Sequence, residues 1–279
     1  MRILILGAAG QLGGELMRQL GEHTVEGVDL PEIDITTRDS VWSKIETFKP
    51  DVVLNTAAYT NVDGCVKNPE LAYQVNGLGP QNIALACAHF DVDLVHVSTN
   101  EVFPGEKPDG YHEWDGIRPI NAYGNSKAAG EFNVRHAHRK HYIVRIAWLF
   151  APGGKNFIHS ILRFARERGA IRVVTDEVGN PTYVEDCAAA IIQLLHTKQY
   201  GTYHLTNSGS CSRWEFANEI LRVAGLEHVQ NTQILSSEFN RASTPPPHGA
   251  LHNNAAAAIG ITLRPWQEAV AAYLHDHIL

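Results

Sequence analysis

The sequence has few cysteines and lacks any long apolar run. Its four cysteines are widely spaced and form no C-x-x-C pair: Cys65, Cys87, Cys187 and Cys211. This spacing argues against a disulfide scaffold and against a cysteine-rich metal site. No segment approaches the roughly 18 consecutive apolar residues of a membrane span, and the apolar N-terminal segment runs straight into a glycine turn. We therefore expect a cytoplasmic protein with reduced thiols, no signal peptide and no membrane partner.

An excess of positive charge is also lacking. The chain has 23 lysines and arginines against 30 aspartates and glutamates, a net charge of −7, which disfavours a nucleic-acid partner. Apolar residues make up 44% of the 279 residues and charged residues 19%, a composition typical of folded globular proteins rather than disordered ones. An anionic ligand would therefore need a local cluster of positive charge.

The N-terminal segment MRILILGAAGQLGG predicts a nucleotide-binding turn. Arg2–Leu6 form the short apolar run of a buried parallel strand, and Gly7, Gly10 and Gly13 follow before a helical pattern begins. Glycines permit a tight turn and let the backbone approach a pyrophosphate at the N-terminus of a helix. The alternative is a glycine-rich turn that binds no ligand.

An acidic residue, Asp29, ends the second predicted strand, Thr24–Val28. A carboxylate at this point of a dinucleotide fold accepts hydrogen bonds from the ribose hydroxyls of adenosine. It favours NADH over NADPH, although nearby residues such as Arg38 leave NADPH open. The alternative is a solvated loop aspartate.

Tyr123 and Lys127 stand four residues apart in the segment AYGNSKAAGE, a spacing that places both on one face of a helix. A phenol has an ordinary pKa of about 10. A neighbouring ammonium group favours the phenolate, so we expect Lys127 to lower the pKa of Tyr123 and make it a proton-transfer group. The spacing alone is common by chance and gains weight from the glycine turn.

Strand-like and helix-like segments alternate along the first part of the chain. Strands are predicted at 2–6, 24–28, 52–55, 93–98 and 142–147, and helices at 12–21, 38–47, 69–89, 123–138 and 156–168. This pattern predicts an α/β fold with a doubly wound, Rossmann-type parallel sheet. We predict a dinucleotide-binding domain at 1–150, with a return segment at about 180–205 that includes a strand at 201–206. A smaller C-terminal substrate-binding domain is predicted at 151–179 and 206–279.

These motifs resemble those of the extended short-chain dehydrogenase/reductases, and within that family most closely those of the dTDP-4-dehydrorhamnose reductases. The resemblance covers nearly the whole chain. It is carried by GAAGQLGGEL (7–16), NTAAYTNVDGCVKNPELAYQVN (55–76), AYGNSKAAGE (122–131), RIAWLF (145–150) and GNPTYVEDCA (179–188). It implies reduction of the C4 ketone of a nucleotide-linked 4-keto-6-deoxy sugar, with NADPH or NADH as cofactor.

The resemblance also implies roles for individual residues. Tyr123 would donate the proton, Thr99 or, in second place, Ser98 would supply a hydroxyl to the same oxygen, and Lys127 would bind the nicotinamide ribose. The other cofactor residues would be Gly7, Gly10, Gln11, Leu12, Gly13, Asp29, Asp34, Ile35, Ala57, Ala58 and Tyr59. The substrate residues would be Thr99, Asn100, Tyr123, Trp148 and Asn156. Plain core packing is the alternative for Trp148.

One departure from the family pattern follows Thr99. The reductases usually continue with Asp-Tyr, whereas this chain has Asn100-Glu101. The 4,6-dehydratases have Thr-Asp-Glu here, and their Asp and Glu serve as the acid and base of water elimination. Because asparagine cannot give up a proton, elimination would lose its acid. A dehydratase or epimerase of the same superfamily stays open as an alternative, as does a regulatory subunit that binds the dinucleotide without turnover.

Two further features concern assembly. Some members of the family that the motifs resemble form dimers through a magnesium ion held by carboxylates from the first helix and a later region, and Glu15 and Glu185 are at plausible positions for this. Two exposed glutamates are more often solvated, and we predict no metal. A homodimer is left open.

Overall fold

The structure is a computed structural model that describes residues 1–153 and 156–279. Its strands are β1 (Arg2–Leu6), β2 (Thr24–Val28), β3 (Val52–Asn55), β4 (Asp93–Thr99), β5 (His141–Ile146), β6 (Leu149–Phe150), β7 (Ala170–Val174), β8 (Val178–Gly179), β9 (Thr182–Tyr183), β10 (Gly201–His204), β11 (Cys211–Ser212) and β12 (Gln230–Ile234). Its α-helices are α1 (Gln11–Gln19), α2 (Arg38–Phe48), α3 (Val62–Lys67), α4 (Pro69–Tyr73), α5 (Gly79–Phe90), α6 (Ala122–Ala137), α7 (Phe157–Arg168), α8 (Val184–Leu195), α9 (Arg213–Val223), α10 (Asn254–Ala258) and α11 (Trp266–His277).

A six-stranded parallel sheet in the order β10-β5-β4-β3-β1-β2 forms the centre of the molecule. The predicted α/β, Rossmann-type class is therefore confirmed. The five predicted strands lie within a residue of β1 to β5. The segment predicted to return to the sheet does so as β10, which pairs in parallel with β5.

Strand β1 shows why its sequence is an unbroken apolar run. Ile3 and Ile5 pack into one core with helices α1 and α8, whereas Leu4 and Leu6 pack into a second core with α2 and α5. Successive side chains of a strand face opposite sides, so a sheet covered by helices on both faces needs apolar residues at every position.

The helix predicted at 69–89 is wrong as a single element. A π-helical turn at Gln74–Leu78 separates α4 from α5, and the Gly79 N–H donates to the Gln74 carbonyl five residues earlier. Because Pro80 has no N–H to give, the ordinary α-helical ladder loses a bond at this point. The wide turn buries Asn76, whose side chain donates to the Tyr59 carbonyl and to the Ser126 hydroxyl.

Short strand pairs after β5 bring distant parts of the chain to the end of the sheet. Strand β6 pairs with β9, and β11 pairs with β8, with Cys211 opposite Gly179. The second pairing places the start of α9 next to Gly179. These contacts position Trp148 and Arg213 at the carboxyl end of β5.

A fully buried ion pair joins α6 to the sheet. Glu131 is 0% exposed and Arg145 of β5 is 1% exposed. The Arg145 Nε and Nη2 groups donate to the two carboxylate oxygens of Glu131 at 2.8 and 2.7 Å, and the Ser98 hydroxyl of β4 donates to Oε1 at 2.7 Å. The pKa of Glu131 is lowered by Arg145 and Ser98 in spite of burial.

We expect the substitution Arg145→Met to lower the free energy of unfolding by about 3–5 kcal/mol, because it leaves a buried carboxylate without its main partner. Adding Glu131→Gln to Arg145→Met should recover part of that loss. Urea unfolding of the two variants measures both effects. Arg222, an exposed residue that pairs with the partly buried Glu219, provides the control, since Arg222→Met should change stability by less than about 1 kcal/mol. Equal losses for Arg145→Met and Arg222→Met would contradict this assignment.

Candidate active site

A cavity of about 810 Å³ opens at the carboxyl ends of β1, β3, β4 and β5. Strands β2 and β3 lie on opposite sides of β1, so the order of the sheet reverses here, and such a reversal is where parallel sheets bind ligands. Most of the predicted site residues line this cavity: Gly7, Gly10, Gln11, Leu12, Gly13, Asp29, Asp34, Ile35, Ala57, Ala58, Ser98, Thr99, Asn100, Tyr123, Lys127 and Trp148.

The glycine turn forms one end of the cavity. Gly7 has φ +85°, and a Cβ atom on it would lie 2.5 Å from the Ala57 nitrogen. A Cβ atom on Gly13 would lie 2.2 Å from the Gly7 carbonyl oxygen, so neither site accepts a side chain. Gly10 precedes α1, whose N-terminus has no side-chain cap and no acidic residue in its first turn. These residues fit the pyrophosphate of a dinucleotide.

The acidic residues beside this turn are held by backbone groups. The Asp29 carboxylate accepts hydrogen bonds from the Ala9 N–H at 3.1 Å and from the Leu30 N–H at 2.8 Å. The Asp34 carboxylate accepts from the Thr36 N–H at 2.9 Å and from its hydroxyl at 2.8 Å. Asp29 thus ties the end of β2 to the glycine turn and adds negative charge to this end of the cavity.

Tyr123 lies in the first turn of α6, facing the end of β4. Burial and the Glu101 carboxylate raise the pKa of its phenol, and the hydrogen bond with the Thr99 hydroxyl opposes that change. We predicted that Lys127 would lower this pKa, and the predicted direction is wrong. The Lys127 ammonium group donates instead to the Val97 carbonyl of β4 at 2.6 Å.

Lys127 lines the same cavity one helical turn after Tyr123. Burial lowers the pKa of its amine to about 8, and Glu131, one further turn along α6, acts in the opposite direction. At neutral pH the cavity therefore contains a protonated phenol and an amine that is mostly charged.

Ser98 and Thr99 are neighbours on β4, and their side chains have different partners. Thr99 interacts with the Tyr123 phenol, whereas the Ser98 hydroxyl donates to Glu131 in the buried ion pair. Of the two hydroxyls it is that of Thr99, our first choice from the sequence, that lies beside the phenol, and its role in the reaction stays a prediction. Ser98 instead links β4 to α6 through its hydrogen bond to Glu131.

The unusual pair Asn100-Glu101 also lines the cavity. The Asn100 amide donates to the Gly249 carbonyl at 3.0 Å, and its oxygen accepts from the Thr99 hydroxyl at 3.3 Å. The Glu101 carboxylate accepts from the Asn121 amide at 2.7 Å, and burial raises its pKa. Because the Asn100 amide has no proton to give up, it does not reproduce the aspartic acid of a dehydratase.

Trp148 has φ +44°, which is a strained backbone conformation for a bulky residue. Its indole lies so close to Gly179 that a Cβ atom there would be 2.6 Å from the ring. The Arg213 guanidinium carbon lies 3.6 Å from the centroid of the same indole. Trp148 lines the cavity and also packs against the core, and its role toward the substrate stays a prediction.

Two predicted site residues do not line the cavity. Tyr59 exchanges backbone hydrogen bonds with the Asn76 side chain, and its hydroxyl lies against Gly64. Asn156 caps α7, accepting from the His159 N–H, and its amide donates to the Ala151 carbonyl. Their roles toward cofactor and substrate stay predictions. In the structure both residues make hydrogen bonds that stabilise the local fold.

Sequence reasoning missed Glu131 and Arg213. Glu131 could have been found, because it lies four residues after Lys127 on the same helical face. Arg213 carries no local signal. Its partner Trp148 is remote in the sequence, and only the pairing of β11 with β8 brings the two side chains together.

Residues 1–153 and 156–279 contain no group of three or more histidine, cysteine, aspartate or glutamate side chains arranged to hold a metal ion. Glu15 and Glu185 both pair with Arg18, at 2.6 and 3.0 Å. In the same residues no helix is both long and apolar enough to cross a membrane.

Comparison with known proteins agrees with the motifs. The family model of the RmlD substrate binding domain matches residues 1–278. The chain is 38% identical to the spore coat polysaccharide biosynthesis protein SpsK of Bacillus subtilis, over 99% of this chain and 97% of that protein. It is also 38% identical to a dTDP-4-dehydrorhamnose reductase of Aggregatibacter actinomycetemcomitans, over 96% of this chain and 97% of that protein.

A solved structure extends the likeness to three dimensions. The dTDP-4-dehydrorhamnose reductase of Bacillus anthracis, crystallised in complex with NADP, matches with a TM-score of 0.95 and 38% identity, covering 99% of both chains. The resemblance inferred from the motifs is confirmed. The chain belongs to the family defined by the RmlD substrate binding domain.

Proposed function

We propose that this protein reduces the C4 ketone of dTDP-4-dehydro-L-rhamnose to the alcohol, using NADPH or NADH. The observation that carries the proposal is the meeting of Thr99, Tyr123 and Lys127 in one cavity whose other end is the glycine turn. Relatives 38% identical over most of the chain have this reductase activity in their names, and one of them was crystallised with NADP.

The residues present fit a dinucleotide along the cavity. Gly10, Gln11 and Leu12 would hold its pyrophosphate, Asp29 its adenosine ribose, and Lys127 the ribose next to nicotinamide. When bound, reduced nicotinamide supplies the hydride, and the protein contributes orientation and a proton. The segments 151–179 and 206–279 would close the substrate side, in keeping with the proposed domain division.

Tyr123 is the proposed proton donor. Its raised pKa keeps the phenol protonated at neutral pH, as a donor must be. As the carbonyl carbon gains a hydride, its oxygen becomes an alkoxide, which is more basic than a phenolate, so the proton passes from Tyr123 to that oxygen. The charge of Lys127 would stabilise the phenolate left behind, which then recovers a proton from solvent.

The structure favours reduction over the dehydratase alternative. Elimination needs an acid where this chain has Asn100, and the Asn100 amide is engaged by the Gly249 carbonyl. A ketone reduction needs only the phenol and the cofactor. The regulatory alternative predicts binding of the dinucleotide without turnover, so it is decided by the rate measurements below.

The wider proposal includes location and assembly. A cytoplasmic location is supported by the four cysteines, which are all free and buried. The proposed partner is the nucleotide sugar, without nucleic acid or membrane, and a homodimer stays open to measurement of the molecular mass in solution.

Removing the proposed proton donor should abolish most of the activity. We expect Tyr123→Phe to lower kcat by about 10²–10⁴-fold, the usual contribution of a positioned acid, while cofactor affinity changes little. Oxidation of NADPH in the presence of dTDP-4-dehydro-L-rhamnose measures this effect. The exposed Tyr73→Phe is the control and should match the wild type. Equal rates for Tyr123→Phe and the wild type would exclude this mechanism.

The charge of Asp29 should set cofactor preference. We expect Asp29→Asn to raise the ratio of kcat/KM for NADPH to that for NADH by about tenfold, because a carboxylate repels the 2′-phosphate of NADPH. Steady-state kinetics with both cofactors give the ratio. The exposed Asp39→Asn, outside the cavity, should leave it unchanged. A shift toward NADH would contradict the proposed place of Asp29.

Burial of the Lys127 ammonium group should lower the free energy of unfolding, although the same group is needed for activity. Its amine has a pKa of about 8 in the folded protein against an ordinary value of 10.5, so the unfolded chain holds more protons between these values. Stability should therefore rise with pH over that window in the wild type, and this rise should be missing in Lys127→Met. At pH 7 we expect the variant to be more stable by about 1–3 kcal/mol, allowing for the lost bond to Val97, and nearly inactive.

Urea unfolding at several pH values, read as the difference between the wild type and Lys127→Met, measures this effect. A variant that is both less stable and inactive at pH 7 would show that Lys127 is primarily structural.

A further inference from the structure

The side chain of Arg213 presents a cation in the cavity. Within residues 1–153 and 156–279, its guanidinium makes no hydrogen bond and no ion pair, although it lies 3.6 Å from the Trp148 ring centroid and 5.0 Å from that of Phe157. Nearby arginines differ, since Arg241 pairs with Glu177 and Arg264 pairs with Asp186. Five donors are thus left for a ligand.

The position of Arg213 is fixed by its surroundings. Ser212 and Glu215 form a capping box at the start of α9, and the Arg213 N–H donates to the Glu177 carbonyl at 3.0 Å. A guanidinium stacked on an aromatic face keeps its N–H groups in the stacking plane, where they can meet an acceptor beside the ring. The side chain is therefore prepared for binding before any ligand arrives.

The charge balance of the cavity makes this cation distinctive. The basic side chains among its described lining residues are Lys127 and Arg213, against the acidic residues Asp29, Asp34 and Glu101. The Lys127 ammonium group donates to a backbone carbonyl. Burial lowers the pKa of Arg213 to about 10, so the group stays charged at neutral pH while it has lost much of its hydration. An anion would replace that lost solvation.

Arg213 lies at the substrate end of the cavity. It contacts Trp148, which follows β5, whereas the glycine turn follows β1, and β4 and β3 separate these two strands in the sheet. At roughly 4.8 Å per strand this places the two ends about 14 Å apart. A pyrophosphate bound at the Gly10 end would therefore leave Arg213 to a second anionic group.

We propose that Arg213 binds the diphosphate of the nucleotide-sugar substrate and so determines selectivity for diphosphate-linked sugars. The inference rests on the proposed function, because a nucleotide sugar brings a second diphosphate to this cavity. The planar fork of a guanidinium matches two phosphate oxygens. The chain as a whole has a net charge of −7, so a local cation is what an anionic substrate requires.

Kinetics of Arg213→Met test the proposal. We expect KM for dTDP-4-dehydro-L-rhamnose to rise about 10- to 100-fold, the usual loss for a charge-assisted contact, while kcat and KM for NADPH change less than about threefold. Arg213→Lys keeps the charge without the planar fork, so its KM for the sugar nucleotide should lie between those of the wild type and Arg213→Met. Arg222→Met removes the same charge from an exposed site on the same helix and should match the wild type.

Binding measured without turnover separates this inference from the proposed function. By calorimetry the wild type should bind dTDP more tightly than dTMP, and Arg213→Met should lose most of that preference. If the wild type fails to reduce the keto-sugar, the proposed function falls, and the dTDP measurements still decide the role of Arg213.

Two results would overturn the proposal. The first is unchanged KM for the sugar nucleotide with unchanged dTDP binding in Arg213→Met. The second is an increase in KM confined to NADPH, which would assign the arginine to the cofactor. If Arg213→Met unfolds, the same measurements of KM and dTDP binding can be made with Arg213→Lys, which keeps a cation beside the indole.

Discussion

The buried carboxylate of Glu131 fixes the relative positions of the residues that we propose are catalytic. It lies on α6, the helix that presents Tyr123 and Lys127 to the cavity, and it accepts hydrogen bonds from Ser98 of β4 and Arg145 of β5. Because Ser98 directly precedes Thr99, the same contact fixes the strand that faces the phenol. The spacing between the proposed acid and its hydroxyl neighbour thus depends on a buried ion pair that is not among the described residues lining the cavity.

Burial acts on each titratable group of this region with a different result. It raises the pKa of Tyr123 and lowers that of Lys127, whereas the arginine partner overcomes it at Glu131 and keeps the carboxylate charged. Side chains whose pKa values are shifted in opposite directions within one cavity are typical of sites that transfer protons. Here they leave a proton on the phenol, which suits a reaction that ends by protonating an alkoxide rather than one that begins by removing a proton.

Local sequence patterns predicted the strands, the glycine turn and the face shared by Tyr123 and Lys127, because each depends on neighbours a few residues apart. The break between α4 and α5 was not predicted, because it depends on Gly79 and Pro80 together with the burial of Asn76. The pKa of Tyr123 could not be predicted from Lys127 alone, since it depends on Glu101 and on burial. Such contacts exist only after the sheet has formed.

Trp148 shows why the segments beyond β5 matter to the chemistry. Its left-handed backbone turns the chain from β5 into β6, and the pairing of β6 with β9 holds that turn in place. Only a glycine at 179 leaves room for the indole, and the strand that contains this glycine pairs with the residues just before Arg213. The strained turn, the missing side chain and the stacked guanidinium are therefore parts of one arrangement. Its cost in backbone strain is compensated by packing, and it places a flat apolar surface and a cation at the end of the cavity that we propose binds a sugar and its phosphates.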